Sequence, residues 1–310
     1  MPLPGRRQRV TWEPNTIKWP GQFNGEIRHT VTYRNTDERK GKRVLVVGAG
    51  NSGVDIACDA SFAAEQAFLS ERRGYHFLPK HIMGQPLDVF ASTGPKLPFA
   101  IQQRLFSGLI KMINGDMTRY GLPKPDHKLL ESHPIMNTQI LHYLGHGDCI
   151  AKGDVERLDG NDVVFNDGSR EQIDLILQAT GYHHACPFLD DAVLNEHDGR
   201  PDLYLGTFSR SAPSFAVLGF IEFASAAHDN FDKMAELIVA DATSSSASNF
   251  KRRFATKKQN HQPDLTGGRN YVKSGRHANY VEVETYLELL AEIKQELGVE
   301  AGTASLVGAS

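Results

Sequence analysis

The stretch "GKRVLVVGAGNSGVDIACDA", residues 41–60, changes character three times within a short span. Residues 44–47 are all apolar and mostly β-branched, framed by Lys42-Arg43 and by glycine, which is the pattern of a short strand buried on both faces of a parallel sheet. Gly48-Ala49-Gly50-Asn51-Ser52-Gly53 then matches G-x-G-x-x-G. In such a turn Gly48 permits the tight bend, Gly50 lets a pyrophosphate approach the backbone, and Gly53 lets the next helix pack close to the strand. A helix is expected from about Asn51, with Val54, Ala57 and Cys58 at i, i+3 and i+4 as a small-residue face lying on the sheet. Its unpaired N-terminal amides and the positive end of its dipole suit phosphate groups. Glycines also end helices and build turns, so the triplet by itself says little. Its place between an expected strand and an expected helix gives it a dinucleotide reading.

Which dinucleotide is wanted depends on the end of the following strand. There, residues 67–70 (Ala-Phe-Leu-Ser) run into Glu71-Arg72-Arg73. An acid at this place bonds the ribose 2′-hydroxyl of NAD, whereas arginine accommodates the 2′-phosphate of NADP. Two adjacent guanidiniums offer bidentate phosphate contacts and a stacking face for adenine, so Arg72 and Arg73 favour NADP. The competing reading is a solvated charge cluster in which Glu71 pairs with an arginine.

Composition sets the frame. With 310 residues the chain is long enough for two domains and a sizeable core. A formal net charge of −3 points to no nucleic-acid or strongly anionic partner. Cys58, Cys149 and Cys186 lack metal-ligand spacing and read as buried thiols of a reducing cytoplasm. Met1-Pro2-Leu3-Pro4 opens no signal-peptide pattern, and no apolar run is long enough to span a bilayer; the longest, around residues 215–227, is interrupted by Glu222. A cytoplasmic location is the expectation.

Residues 1–40 are rich in Pro, Arg, Thr and Asn and contain no strand–glycine–helix unit, which needs about 30 residues of its own. They contain instead Phe23, Gly25, His29 and Tyr33 in the order Phe-x-Gly-x-x-x-His-x-x-x-Tyr. This resembles the identifying motif of flavin-containing monooxygenases, and it stands just before the glycine turn, as it does in that family. Gly48, Gly50, Ser52 and Gly53 have the family's G-x-G-x-S-G form, and Ala179-Thr180-Gly181-Tyr182 resembles its Ala-Thr-Gly-Tyr motif at a strand end. The resemblance runs from about Lys18 to about Leu297 and takes in "GRHANYVEVETYLELLAEI", residues 275–293, as a C-terminal helix.

The resemblance implies an α/β chain: a Rossmann-like NADP-binding domain with a parallel sheet, plus the C-terminal portion of a split FAD-binding domain. Its expected divisions are an opening segment at 1–37, the NADP-binding domain at 38–180, the FAD and substrate portion at 181–292, and a tail at 293–310. The family's N-terminal part, with the FAD glycine motif and an active-site asparagine, is expected to be missing. NADP(H) and FAD are the implied cofactors, with Gly48, Gly50, Asn51, Ser52, Gly53, Arg72, Arg73, Thr180 and Gly181 as cofactor-binding residues. The implied chemistry inserts one oxygen atom of O2 into a soft nitrogen or sulfur nucleophile through a flavin hydroperoxide. The cofactors carry that chemistry, and the protein positions them and excludes water. Residues 217–227 are similar to the segment passing near the flavin ring, departing from the commoner Gln and Gly pattern at Glu222 and Ser225.

Two other readings stay open. A Baeyer–Villiger monooxygenase shares the split arrangement and places an arginine near Arg72, but Tyr33 stands where that group has tryptophan. The other is a non-catalytic NADP-binding fragment, or one half of a pair completed by an FAD-domain chain. Uncovered sheet edges in such a chain would favour self-association or a homo-oligomer.

Each motif also has a plain structural reading. Phe23, Gly25 and His29 could form a turn with a satisfied core histidine, and residues 174–180 suit any apolar strand ended by glycine. Asn166-Asp167-Gly168-Ser169 signals a hairpin without chemical content. His142 and His146 have i, i+4 spacing, but Gly145 and Gly147 are expected to break the helix a metal pair would need, so no metal is expected. His183-His184 reads as a solvated loop or a structural pair. No Ser-His-Asp triad is supported. Residues 83–125 suggest loops and short helices, 242–249 with the following basic run through Lys258 a flexible exposed loop, and the tail after Gly298 disorder.

Overall fold

A computed structural model describes residues 12–93, 97–184, 186, 188–194, 201–223, 228–272 and 280–299. The chain divides into two compact units, residues 10–185 and residues 186–310 with 1–9.

The strand expected at 44–47 runs over Arg43–Val47 and sits at the centre of a five-stranded sheet. From edge to edge the order is Glu26–His29, Leu175–Gln178, Arg43–Val47, Gln66–Ser70 and Cys149–Lys152, every pair parallel. Alternate side chains of the central strands enter two different cores. Val44, Val46, Leu69, Leu175 and Leu177 pack with the helices Asn51–Ala63 and Gln139–His146. Leu45, Val47, Phe68 and Ile176 pack with Val155, Leu158, Val163 and Phe165 of a second sheet. That sheet has the order Arg170–Gln172, Asp162–Phe165, Val155–Gly160 and Gly21–Phe23, so the parallel strands are covered on both faces, as their continuous apolar sequence requires. Its hairpin turns at Asn166-Asp167-Gly168-Ser169, where Gly168 has φ +80° and Asp167 Oδ1 accepts the Ser169 amide at 2.8 Å.

The expected strand–turn–helix unit is present, and the helix begins at Asn51 with Val54, Ala57 and Cys58 buried. Residues 12–37 are folded into this unit. Glu26–His29 forms the edge of the parallel sheet, and Trp12–Pro14 pairs antiparallel with Tyr182–His184.

Several local expectations are corrected. Between residues 97 and 125 the chain holds a 16-residue helix, Phe99–Asn114, rather than only short ones; Pro98 starts it, and Gly115 at φ +75° ends it. Residues 94–96 lie outside the described part. Gly145 does not break its helix, which runs over Gln139–His146 and stops at Gly147 in the left-handed region. His183 and His184 lie in a strand, with His183 Nε2 3.3 Å from Glu13. Cys186 is only half-buried, while burial pushes the thiols of Cys58 and Cys149 up to about 12.

The second unit is built around Tyr204, Phe208, Phe254, Tyr286, Leu290 and Ile293. Helices His228–Thr243, Asn249–Asn260 and Val283–Leu297 supply most of it, with Glu222–Phe223 paired parallel to Tyr280–Val281. The basic run expected in a loop is helical. Ser248 Oγ accepts the Lys251 amide at 3.2 Å as an N-cap, Phe250 and Phe254 stack inward, and Lys258 is buried against Pro213 O at 3.0 Å and Asp241 at 3.4 Å. The C-terminal helix starts only at Val283, capped by Glu282, because residues 280–281 are strand. Residues 224–227, 275–279 and 300–310, on which parts of the flavin-segment, helix and tail expectations rest, lie outside the described part.

Candidate functional site

The glycine turn gathers its partners at the C-terminal ends of three neighbouring strands. Gly48 has φ +105°, and a Cβ there would stand 2.6 Å from Ala179 O. At Gly53 a Cβ would lie 1.8 Å from Gly48 O and 3.0 Å from Ala179 Cβ, so only glycine allows the helix to lie this close to the turn. Gly50 is the extended N-cap residue (φ −71°, ψ 173°), and no side chain caps the helix. The first amides of Asn51–Ala63 are therefore left for a ligand or solvent, with the dipole behind them. Ser52 is exposed on that first turn.

Asn51 is engaged otherwise. Its Oδ1 accepts the Met136 amide at 2.9 Å, and its Nδ2 stands 3.2 Å from His133 Nε2, which ties residues 133–136 to the start of the helix. Asn137 continues this seam by donating to Asp55 Oδ1 at 2.7 Å.

Thr180 and Gly181 lie beside the turn. Ala179 N donates to Val47 O at 2.8 Å, the Thr180 hydroxyl donates to Asn15 O, and Gly181 O accepts the Asn15 amide at 2.9 Å. Gln178 closes a two-way amide pair with the Ile17 backbone, both bonds 2.8 Å. His29 Nε2 is 3.1 Å from Gly181 O, and its Nδ1 accepts the Val31 amide at 3.2 Å. Burial holds this imidazole below its ordinary value, the Gly181 carbonyl opposing the shift.

The Phe23–Tyr33 motif is distributed along the edge strand. His29 belongs to the glycine-turn end. Phe23 and Gly25 precede the opposite end, where a Cβ on Gly25 would meet Asp174 O at 2.5 Å and the Phe23 ring at 2.7 Å. Tyr33 reaches the helix Asn51–Ala63: its hydroxyl donates to Asp59 at 2.8 Å and accepts from the wholly buried Arg39, whose guanidinium lies 4.3 Å over the ring. In this structure the motif ties the edge strand to Gly181 through His29 and to the helix Asn51–Ala63 through Tyr33.

Beyond Ser70 the charges separate. Glu71 is 2% exposed, and neither carboxylate oxygen has a hydrogen-bond partner; burial pushes the group up to about 8. Glu71 thus forms no ion pair with the neighbouring arginines. Arg72 is exposed, and Arg73 Nη2 donates to Asp126 Oδ1 at 2.9 Å. The partner segment is brought up by a parallel bridge between Gly74 and Pro125, and a Cβ on Gly74 would stand 2.2 Å from Pro123 O. Asp126, His127 and the 133–136 seam were not singled out by the sequence, because their distant partners lie 51 to 85 residues away and no local pattern marks such contacts. Among the described residues no group of three or more His, Cys, Asp or Glu stands together as a metal site. His146 Nδ1 bonds its own helix at His142 O, 2.8 Å.

Comparison with known proteins gives this geometry its family. The flavin-binding monooxygenase-like family model matches residues 15–299. Flavin-containing monooxygenase 5 of Mus musculus is 36% identical over 222 residues, covering 66% of this chain and 40% of the relative. Flavin-containing monooxygenase 1 of Mus musculus is 36% identical over 212 residues, covering 64% of this chain and 39% of its own length. This chain therefore spans about 40% of the length of such relatives. The open crystal structure of cyclohexanone monooxygenase superposes with a TM-score of 0.60 at 15% identity, over 93% of this chain and 71% of that one, which is a likeness of fold. With the turn, the strand-end threonine–glycine pair and the edge-strand motif in one register, the chain belongs to the flavin-binding monooxygenase-like family.

Proposed function

We propose that residues 12–184 form the NADPH-binding part of a flavin-dependent monooxygenase, which transfers one oxygen atom of O2 to a soft nitrogen or sulfur nucleophile. The observation that carries this reading is the uncapped helix N-terminus at Gly50, held by Gly48 and Gly53 against Ala179 with no room for a side chain. The amides of the first helical turn would hold the pyrophosphate. Arg72 and Arg73, past the end of the Gln66–Ser70 strand, stand where an adenosine 2′-phosphate is recognised in this fold class. The Asn51 side chain anchors residues 133–136 beside the turn, and its backbone amide stays among those that would hold the pyrophosphate.

A nicotinamide dinucleotide supplies a hydride when bound, and the protein's part is to orient it. The described residues contain one strand–glycine turn–helix unit, and it is already allotted; a second glycine turn for a flavin dinucleotide is not among them.

The test is titration of the chain with NADPH, followed by titration with FAD in its presence and absence, read by flavin absorbance and fluorescence. Saturable NADPH binding is expected, and its absence would overturn the reading. Stoichiometric FAD binding bleached by NADPH extends the reading to a complete catalyst. NADPH binding without FAD assigns the oxygen chemistry to a complex with a flavin-supplying chain.

A further inference from the structure

Arg73 is not alone beside Asp126. The same carboxylate oxygen, Oδ1, lies 2.9 Å from Arg73 Nη2 and 2.8 Å from His127 Nδ1. Two donors from different parts of the chain thus converge on one anionic oxygen position. The donors are largely buried, whereas the acceptor is exposed. The His127 side chain is 5% exposed; its ring meets the His76 ring edge-on at 5.2 Å, and its backbone carbonyl accepts from His76 Nε2 at 2.9 Å. Arg73 is 27% exposed, and its Nε is a buried donor with no hydrogen-bond partner. Asp126, by contrast, is 61% exposed, and its side chain can swing into water at little cost, since exposed ion pairs contribute little.

From this geometry we infer that the Arg73–His127 pair is a seat for the 2′-phosphate of NADP(H), that His127 is a phosphate ligand alongside Arg73, and that Asp126 is an internal competitor holding the seat with its own carboxylate. The inference rests on the NADPH reading above and adds to it the residues that set its specificity. A phosphate oxygen and a carboxylate oxygen make the same charge-assisted bonds to a guanidinium and an imidazole N–H, and the phosphate brings further oxygens for the unfilled Nε. The place is reached by the strand that carries the glycine turn's neighbour: Gly74, directly after Arg73, is bridged to Pro125, directly before Asp126. Backbone pairing therefore holds the two donor-bearing segments side by side, and the exposed carboxylate is the group a phosphate has to displace. NADH carries no 2′-phosphate, so it neither gains from the seat nor has to displace Asp126.

The experiment measures NADPH and NADH dissociation constants for the unaltered chain and for Asp126→Asn, His127→Phe and Arg73→Ala, with melting temperatures as a control for folding. Asp126→Asn is expected to tighten NADPH about threefold to tenfold and leave NADH unchanged. His127→Phe and Arg73→Ala are expected to weaken NADPH about tenfold, again without moving NADH. In a second arm, 2′-AMP is expected to compete with NADPH more strongly than 5′-AMP or inorganic phosphate; equal competition by inorganic phosphate alone would mark a general anion site and overturn the cofactor assignment. Weaker NADPH binding in Asp126→Asn, or equal shifts for both dinucleotides in His127→Phe, would overturn the inference while leaving NADPH binding itself intact. Binding of neither dinucleotide by the unaltered chain would overturn both readings.

Discussion

The two ends of the proposed dinucleotide site are built in different ways. At the glycine turn, residues 48–53 make their own geometry: a positive φ, an uncapped helix start and a close helix–turn contact, all within one short stretch. At the far end, Arg73 meets partners 53 residues away, and the acid that the local sequence offers, Glu71, is turned inward. A site feature made of backbone is written locally, whereas one made of converging side chains depends on packing that no local pattern records.

The sharpest way to break this comparison is to neutralise Glu71. Its raised value means the folded chain keeps a proton between pH 4.5 and about 8 where the unfolded chain has lost it, so stability falls as pH rises through that window. Glu71→Gln removes the titration. It is expected to stabilise the protein on the order of 4 kcal/mol at pH 9 and to change nothing at pH 4. Thermal or urea melts across that range check it; a pH-independent difference would show that Glu71 is not held neutral.

Next in size, Gly53→Ala forces a Cβ against Gly48 O and is expected to destabilise by on the order of 3 kcal/mol while weakening dinucleotide binding. An alanine variant with unchanged melting and unchanged NADPH affinity would remove the argument that the turn demands glycine there.

The smallest effect sharpens the comparison from the middle. Tyr33 belongs to a motif legible in sequence, yet its work is done on remote Asp59 and buried Arg39. Tyr33→Phe keeps the ring under the guanidinium, removes the hydroxyl, and is expected to cost about 1–2 kcal/mol in urea unfolding with NADPH affinity unchanged. A selective loss of NADPH affinity would instead move the motif into the binding site.

The same division governs what could be read in advance. The strand at 43–47, the helix from Asn51 and the hairpin at 166–169 follow from periodicity and turn chemistry that neighbours in sequence supply. Proline opens the helix at Phe99–Asn114 and glycine closes it, and the same two residue types also mark loops, so this stretch of sequence is compatible with either. Gly145 shows the opposite case: a glycine inside a helix lowers its propensity by about 1 kcal/mol, too little to break one whose Ile140, Leu141 and Leu144 are buried. Ser248 and the Phe250–Phe254 pair carried the signal for the basic helix, and charge composition hid it. Of the candidate site, the residues that open space were readable and those that fill it were not. His127 and Asp126 could be found only once Gly74 and Pro125 were seen side by side.

The antiparallel pairing of Trp12–Pro14 with Tyr182–His184 has a further consequence. The chain enters and leaves the nucleotide unit through one two-stranded stem, its ends about 5 Å apart at neighbouring strand positions. A module with such a stem can be spliced into a surface loop of another protein without stretching the host's cut ends, and excised again by rejoining them. Genetic transplantation of residues 12–184 as a single cassette is therefore a geometric property of this fold, independent of the chemistry the cassette serves.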